Sequence, residues 1–444
     1  MLQTELLIMS KLPLKEIEEL VVAGIIPQET AAKINNYYQE KKQSAPNTFV
    51  IILGIIGALL SGSGIILIVA HNWDELSIPV KTFLAFLPLI IAQVVCGYTL
   101  IRRKSDRVWI ECSSMILFFS IGACISMISQ IYHVDGSLPE FLLVWVLLSL
   151  PVTYFLPANT VVLFCIATIT WYVVEKGYFD RYSNIPFMYV VILAITIPHY
   201  LRLYKRSRES NFYTLLNWFG AISITITLGA FAGKGSNFSE WIFLLYCILF
   251  CIWYVVGRLS FFESQKIFTN PFLVIGTLGI IITLLTWSFS FLWKEYHLPP
   301  AREIVGFPLF YLIAAGLVVV SFMIWKTDRF QIQKLIDPMG YSFAVLLLLM
   351  LFFYKVPSIA VFIINAWTIF IAVFFIRKGS AKNHLGIVNF GLIIIAALAV
   401  CRFFDDRIPF VWRGVFFLVT GATFFAANYL LLRRRKLQAF VKGI

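Results

Sequence analysis

Apolar stretches of about 20 residues recur down the whole chain, separated by short polar runs. A helix rises 1.5 Å per residue, so each stretch can cross the roughly 30 Å hydrocarbon core of a bilayer. A spanning barrel would instead show shorter, weaker segments of alternating polarity. The pattern predicts an all-α fold, a polytopic integral membrane helix bundle of about 14 transmembrane helices. The expected spans are 47–70, 79–101, 109–131, 138–156, 159–175, 185–203, 212–232, 239–258, 270–292, 304–325, 338–354, 357–377, 384–402 and 410–432.

Two of these boundaries rest on length. Phe141 to Val174 is almost unbroken, yet as one helix it would measure about 51 Å, too long for the core. The break falls at "LPAN", where Pro157 and Asn159 supply turn chemistry. Met339 to Phe375 is divided in the same way at "YKVPS", by Lys355 and Pro357. Pro88 lies inside the second span and predicts a kink there.

Charge then orients the spans. With the N-terminus inside, "RRKSDR", "RLYKRSRES", "KTDRFQIQK", "RKGSAK" and "LRRRK" all fall on the inner side. "HNWDEL", "YHVDGSLPE", "GKGSNFSE" and "FFDDR" fall outside. Most of the 36 Lys and Arg are then inside, as the positive-inside rule requires, and both termini are expected in the cytoplasm. Composition agrees: the chain is 60% hydrophobic and 13% charged, where a soluble domain carries about twice that charge. The net charge of +13 is therefore read as orientation in the membrane, and no nucleic-acid partner is expected. The opening residues lack the n-region, h-region and cleavage site of a signal peptide. All seven cysteines lie in apolar segments, so no disulfide is expected.

The domain organisation follows. Residues 1–46 form a cytoplasmic helical hairpin head. In it "PLKEIEELVVAG" ends at Gly24, and "PQETAAKINNYYQEKK" follows. Residues 47–175 form an N-terminal membrane domain. Residues 176–444 supply the remaining spans and a basic tail. The head is too small to hold a core alone, so it leans on the membrane, on the inner loops or on a protein partner.

Several stretches carry a family resemblance: "LVVAGIIPQETAAKINNYY", "GIIGALLSGSGIILIVAHNWDEL" and "IGACISMISQIYHVDGSLPEFLLVW". They resemble the amino-terminal domain of a bacterial family of predicted polytopic membrane proteins of unknown function. That family has a helical head, a glycine-rich first span ending A-x-N-W and a third span ending Q-x-Y-H. Here these fall on Ala70, Asn72 and Trp73, and on Gln130, Tyr132 and His133. The resemblance covers roughly residues 12–175. It implies a multi-pass topology in a bacterial inner membrane, and it implies no activity.

Chemistry must be sought in the polar residues. No ionisable group is expected at a bilayer midplane, which argues against a proton-coupled carboxylate relay. In the first span Gly54, Ala58 and Gly62 repeat at four-residue spacing, a small-residue face for close helix packing. The exits of the first and third spans leave on the same side with similar composition. Together they make a candidate outer polar site of His71, Asn72, Trp73, Asp74, Gln130, Tyr132, His133 and Asp135. Interfacial aromatics and turn-forming Asn and Asp also account for much of this composition. The spacing fits no metal motif, and no catalytic or cofactor motif is present, so no catalytic residue, metal or cofactor is assigned.

Three readings stay open. The first is a transporter or flippase of a small or lipid-linked solute, with the outer cluster at its mouth. The second is a non-catalytic sensor or assembly protein working through the head. A membrane-embedded enzyme ranks third.

Overall fold

The structure is a computed structural model. It describes residues 21, 23–34, 75–179, 185–232, 240–259, 262, 267–298, 308–330, 337–382 and 384–403, with isolated positions from 411 to 425. The expected spans 47–70 and 410–432 lie outside the described residues or almost wholly so. The chain divides into two compact units, Met1–Phe83 and Leu84–Ile444.

In the first unit, Gly24 has a φ of +67°, the left-handed conformation that a helix stop requires. Residues 28–34 are helical behind Pro27, whose carbonyl accepts from the Thr30 and Ala31 amides. Lys33 and Glu29 pair across one turn on an exposed face.

All regular structure among the described residues is helical. The α-helices are α1 (Ile78–Arg102), α2 (Arg107–Tyr132), α3 (Leu138–Ser149), α4 (Val152–Phe155), α5 (Asn159–Val174), α6 (Met188–Arg206) and α7 (Asn211–Phe231). They continue with α8 (Trp241–Gly257), α9 (Pro271–Trp287), α10 (Ser290–Glu295), α11 (Pro308–Phe330), α12 (Ser342–Phe352), α13 (Pro357–Ala381) and α14 (Leu385–Phe403). Each expected segment from 79–101 to 384–402 overlaps helix, but 138–156 takes in both α3 and α4, and 270–292 takes in α9 and the start of α10. Both length-based breaks are present: Leu156 is extended before α5, and α12 ends at Phe352 before Pro357 opens α13.

Among the described residues, eight helical stretches are long and apolar enough to cross a membrane by length and composition, two of them running on as Leu138–Phe155 through α3 and α4 and as Asn159–Phe179 through α5 and the turn after it. Trp241–Gly257, Pro271–Trp287 and Pro338–Phe352 are apolar but shorter. Seventeen residues of α8 rise only about 26 Å, below the usual core thickness. The 19-residue α6 carries Arg202, Lys205 and Arg206 near its C-terminal end. The chain is thus a polytopic helical membrane protein with eight long candidate spans among the described residues.

The second unit has two main apolar cores. One gathers around α5, with Phe118, Leu142, Val146, Val161, Cys165 and Ile169 sealed from solvent or nearly so. The other gathers around α8, with Leu244, Ile248, Ile280, Leu284, Leu346 and Ile364 equally enclosed. Small residues set the closest approaches. A Cβ on Gly276 of α9 would fall on the backbone of α8, 2.7 Å from the Phe250 carbonyl. A Cβ on Gly391 of α14 would lie 2.6 Å from the Ala372 carbonyl of α13. Such contacts let helix backbones meet without an apolar driving force between them. Gly54, Ala58 and Gly62 lie outside the described residues.

Candidate binding groove

The site is best built from the C-terminal end of α2. Backbone sterics there need a left-handed residue to stop the helix, and His133 supplies it with a φ of +48°. The Val134 amide then reaches back to the Ser129 carbonyl at 3.0 Å, closing the six-to-one bond of a Schellman stop. The Ser129 hydroxyl donates to the Val134 carbonyl at 3.0 Å. Three residues later α3 begins with a capping box: the Ser137 hydroxyl accepts from the Glu140 amide, and the Glu140 carboxylate accepts from the Ser137 amide. Most of the polar residues in "SQIYHVDGSLPE" are thus occupied in ending one helix and starting the next.

Gln130 and Asp135 are not so occupied. Both are exposed, and neither side chain has a hydrogen-bond partner among the described residues. Both line a cavity of about 900 Å³ bounded by α1, α2 and α3. Its wall is apolar along most of its length, through Phe86 and Leu89 of α1, Ile125 and Ile128 of α2, and Val144 and Leu148 of α3. Ser129, Gln130, Asp135, Ser137 and Glu140 crowd one end. Leu148 lies ten residues along α3 from Leu138, so the apolar wall extends about 15 Å from that end. Gln93 and Ser126 add two isolated polar points on the wall. The two helices α2 and α3 are tied together directly: Trp145 of α3 lies against Gly122 of α2 and donates its indole N–H to the Phe118 carbonyl at 2.8 Å.

The structure describes four of the eight residues expected at the site, Gln130, Tyr132, His133 and Asp135. Gln130 and Asp135 share the groove, while Tyr132 and His133 are exposed and do not line it. His71, Asn72, Trp73 and Asp74 lie outside the described residues.

Two further polar constellations escaped sequence reasoning. Glu111 near the start of α2 caps α5. Its oxygens accept from the Asn159 and Thr160 amides at 3.0 and 2.9 Å, and from Asn159 Nδ2 and Thr160 Oγ1 at 2.8 and 2.7 Å. Because Nδ2 faces a carboxylate, Asn159 Oδ1 is left to face His199 Nε2, at 3.1 Å. His199 must then carry its proton on Nε2, and its buried Nδ1 has no partner. Asp337 makes the other constellation. Its carboxylate is almost sealed and accepts from Arg258 at 2.6 Å, Tyr254 at 2.6 Å and Lys378 at 3.3 Å. Its second oxygen caps the short 3-10 turn Pro338–Tyr341 through the Met339 amide. The residue thus joins the C-terminal ends of α8 and α13 to the start of the α12 segment, where cations and an anion suit the respective helix dipoles. The signal was in the sequence, as Asp before Pro with Arg and Lys at two span ends, but only the fold puts them in contact. Among the described residues no three His, Cys, Asp or Glu side chains are grouped to hold a metal.

Residues 18–162 match the family described as "Predicted membrane protein (DUF2157)", a family of unknown function, in agreement with the resemblance carried by the N-terminal motifs. The match covers about a third of the chain and includes all three helices that bound the groove. No curated protein and no solved structure matches the chain.

Proposed function

We propose that this membrane protein binds a lipid-like amphiphile between α1, α2 and α3 and moves it across the bilayer, as a transporter or flippase of a small or lipid-linked solute. One observation carries the reading: a groove apolar along most of its length, with its polar groups crowded at one end and only Gln93 and Ser126 elsewhere on the wall. A binding site for a water-soluble solute would present polar groups along its depth. A chain-bearing molecule instead needs an apolar trough, with hydrogen-bonding groups only where its head lies. The volume, about 900 Å³, is that of a site for a sizeable organic molecule. Among the described residues the apolar wall carries no charged side chain, which supports the reading further.

In this reading about 14 spans cross a bacterial inner membrane with both termini cytoplasmic, and the polar end faces outward. The Lys and Arg distribution supports that orientation.

The test is lipid movement in vesicles. Purified protein is reconstituted into liposomes with an acyl-labelled fluorescent phosphatidylethanolamine, and the label in the outer leaflet is quenched chemically. Protein-dependent loss of the inner-leaflet pool is expected, slowed in Val144→Trp, which fills the trough. Equal, slow quenching with and without protein, together with no lipid co-purifying in native mass spectrometry, overturns the reading.

A further inference from the structure

The charge at the polar end narrows what the groove accepts. Asp135 and Glu140 both line it, and among the described residues no Lys or Arg does. Lys81, at the start of α1, is not part of the lining. Along the sequence the imbalance is wider: from Val108 to Glu175 there is no Lys or Arg at all. The orientation rule accounts for missing cations on an outer face, but it gives no reason for carboxylates, which contribute little to orientation. Glu140 has a structural reason to be there, since it completes the capping box of α3. Asp135 has none among the described residues: its side chain bonds to nothing, caps nothing and points to no ion pair. The remaining polar side chains at that end and on the wall, Gln130, Ser129, Ser137, Gln93 and Ser126, are neutral and can donate or accept.

We infer that the groove selects amphiphiles with a cationic head, an alkylammonium or an amine-bearing lipid, over those whose head is a net anion. The inference rests on the reading of the groove as an amphiphile site. An ammonium placed at the polar end gains two carboxylates and the amide oxygen of Gln130. A phosphate or sulfate head there meets both carboxylates without a counter-charge, at a boundary where water screens less than in bulk. Specificity of this kind comes as much from the repelled head as from the attracted one. Chain length adds affinity through the apolar wall without discriminating heads.

Photolabelling of the full-length protein in a neutral maltoside detergent tests this. Two probes share one alkyl chain with a mid-chain diazirine; one ends in a primary amine, the other in a sulfate. Labelled positions are mapped by mass spectrometry. The amine probe is expected to label the α1, α2 and α3 walls roughly fivefold more than the sulfate probe at low salt, the range one or two exposed charge pairs support. The preference should shrink as salt rises. Asp135→Asn combined with Glu140→Gln should bring the two probes level while labelling persists. Gln preserves the capping box, so folding is not the variable. Equal labelling of the groove by both probes in the unmodified protein overturns the cationic preference and leaves the amphiphile site standing. Labelling of the groove by neither probe overturns both.

Discussion

Replacing Glu111 by Ala tests whether the α2–α5 junction is held as the geometry indicates. The carboxylate accepts four hydrogen bonds from two consecutive residues, Asn159 and Thr160. Two come from first-turn amides of α5 that have no partner within the helix. Loss of such a cap costs about 1 kcal/mol. The negative charge at a helix N-terminus adds about 0.5 kcal/mol. The bonds from Asn159 Nδ2 and Thr160 Oγ1 add about 1.5 kcal/mol together, after allowing for partial access of water to Glu111. The sum is about 3 kcal/mol. Glu111→Gln keeps the shape and one acceptor oxygen but turns an amide N–H toward other donors, so about half of that loss is expected. The assay is thermal unfolding in neutral detergent, followed by tryptophan fluorescence. A midpoint lowered on the order of 5 °C in the Ala variant, with Gln between, is the expected order. An Ala variant that unfolds within about 1 °C of the parent refutes the reasoning, because α5 would then start where it does without the carboxylate.

Asp337→Ala should destabilise by about 2–3 kcal/mol, since it removes the carboxylate with which Arg258 and Lys378 both pair; both cations are partly exposed, which moderates the loss. The Asp337→Ala/Lys378→Met double variant should recover part of it in the same unfolding assay. Gly276→Ala places a methyl on the α8 backbone and should cost about 1–3 kcal/mol, visible as reduced folded yield by size-exclusion chromatography. His133→Gly should be neutral or gain about 0.5 kcal/mol in chemical unfolding, because glycine takes the left-handed stop at less steric cost. Reporter fusions after residues 105, 207, 330 and 440 should report the cytoplasm, and fusions near 76, 135 and 236 the opposite side; one clear reversal means a span is miscounted.

Much of the helical framework was legible because it depends on length and on a few residues with one local meaning. Pro157 and Pro357 stop apolar runs that are too long to be single helices, and the breaks lie where those prolines put them. Gly24 reads as a helix stop and is one. Not every apolar run became a long helix, since α8 and α9 are only 17 residues each. Hydropathy measures how apolar a segment is, whereas helix ends depend on caps. Asn270 is such a cap: it starts α9 through the Leu273 amide and also ties down the carbonyls of Gly257 and Phe262. An isolated Asn-Pro in the sequence announces a helix start, but not that one side chain also closes the helix before it. The Asp337 knot was illegible for a related reason. Its partners Tyr254, Arg258 and Lys378 lie 83, 79 and 41 residues away, and no periodicity links them to it.

The stretch "SQIYHVDG" shows what separates a polar cluster from a site. Composition alone counts every polar residue equally. The structure assigns Ser129 and His133 to stopping α2, and Ser137 and Glu140 to starting α3. These residues would be selected by backbone geometry whatever the protein binds. Once they are subtracted, Gln130 and Asp135 remain, polar groups with no structural duty, both at the end of an apolar trough. An unpaired amide and a carboxylate at a water boundary cost little while solvated, so their presence alone proves nothing. Their position matters more. A helix stop needs polar groups along the chain, but it does not need them turned into a cavity bounded by three helices. That direction, unexplained by the caps, is what ties the electrostatics of this short loop to the apolar wall beneath it.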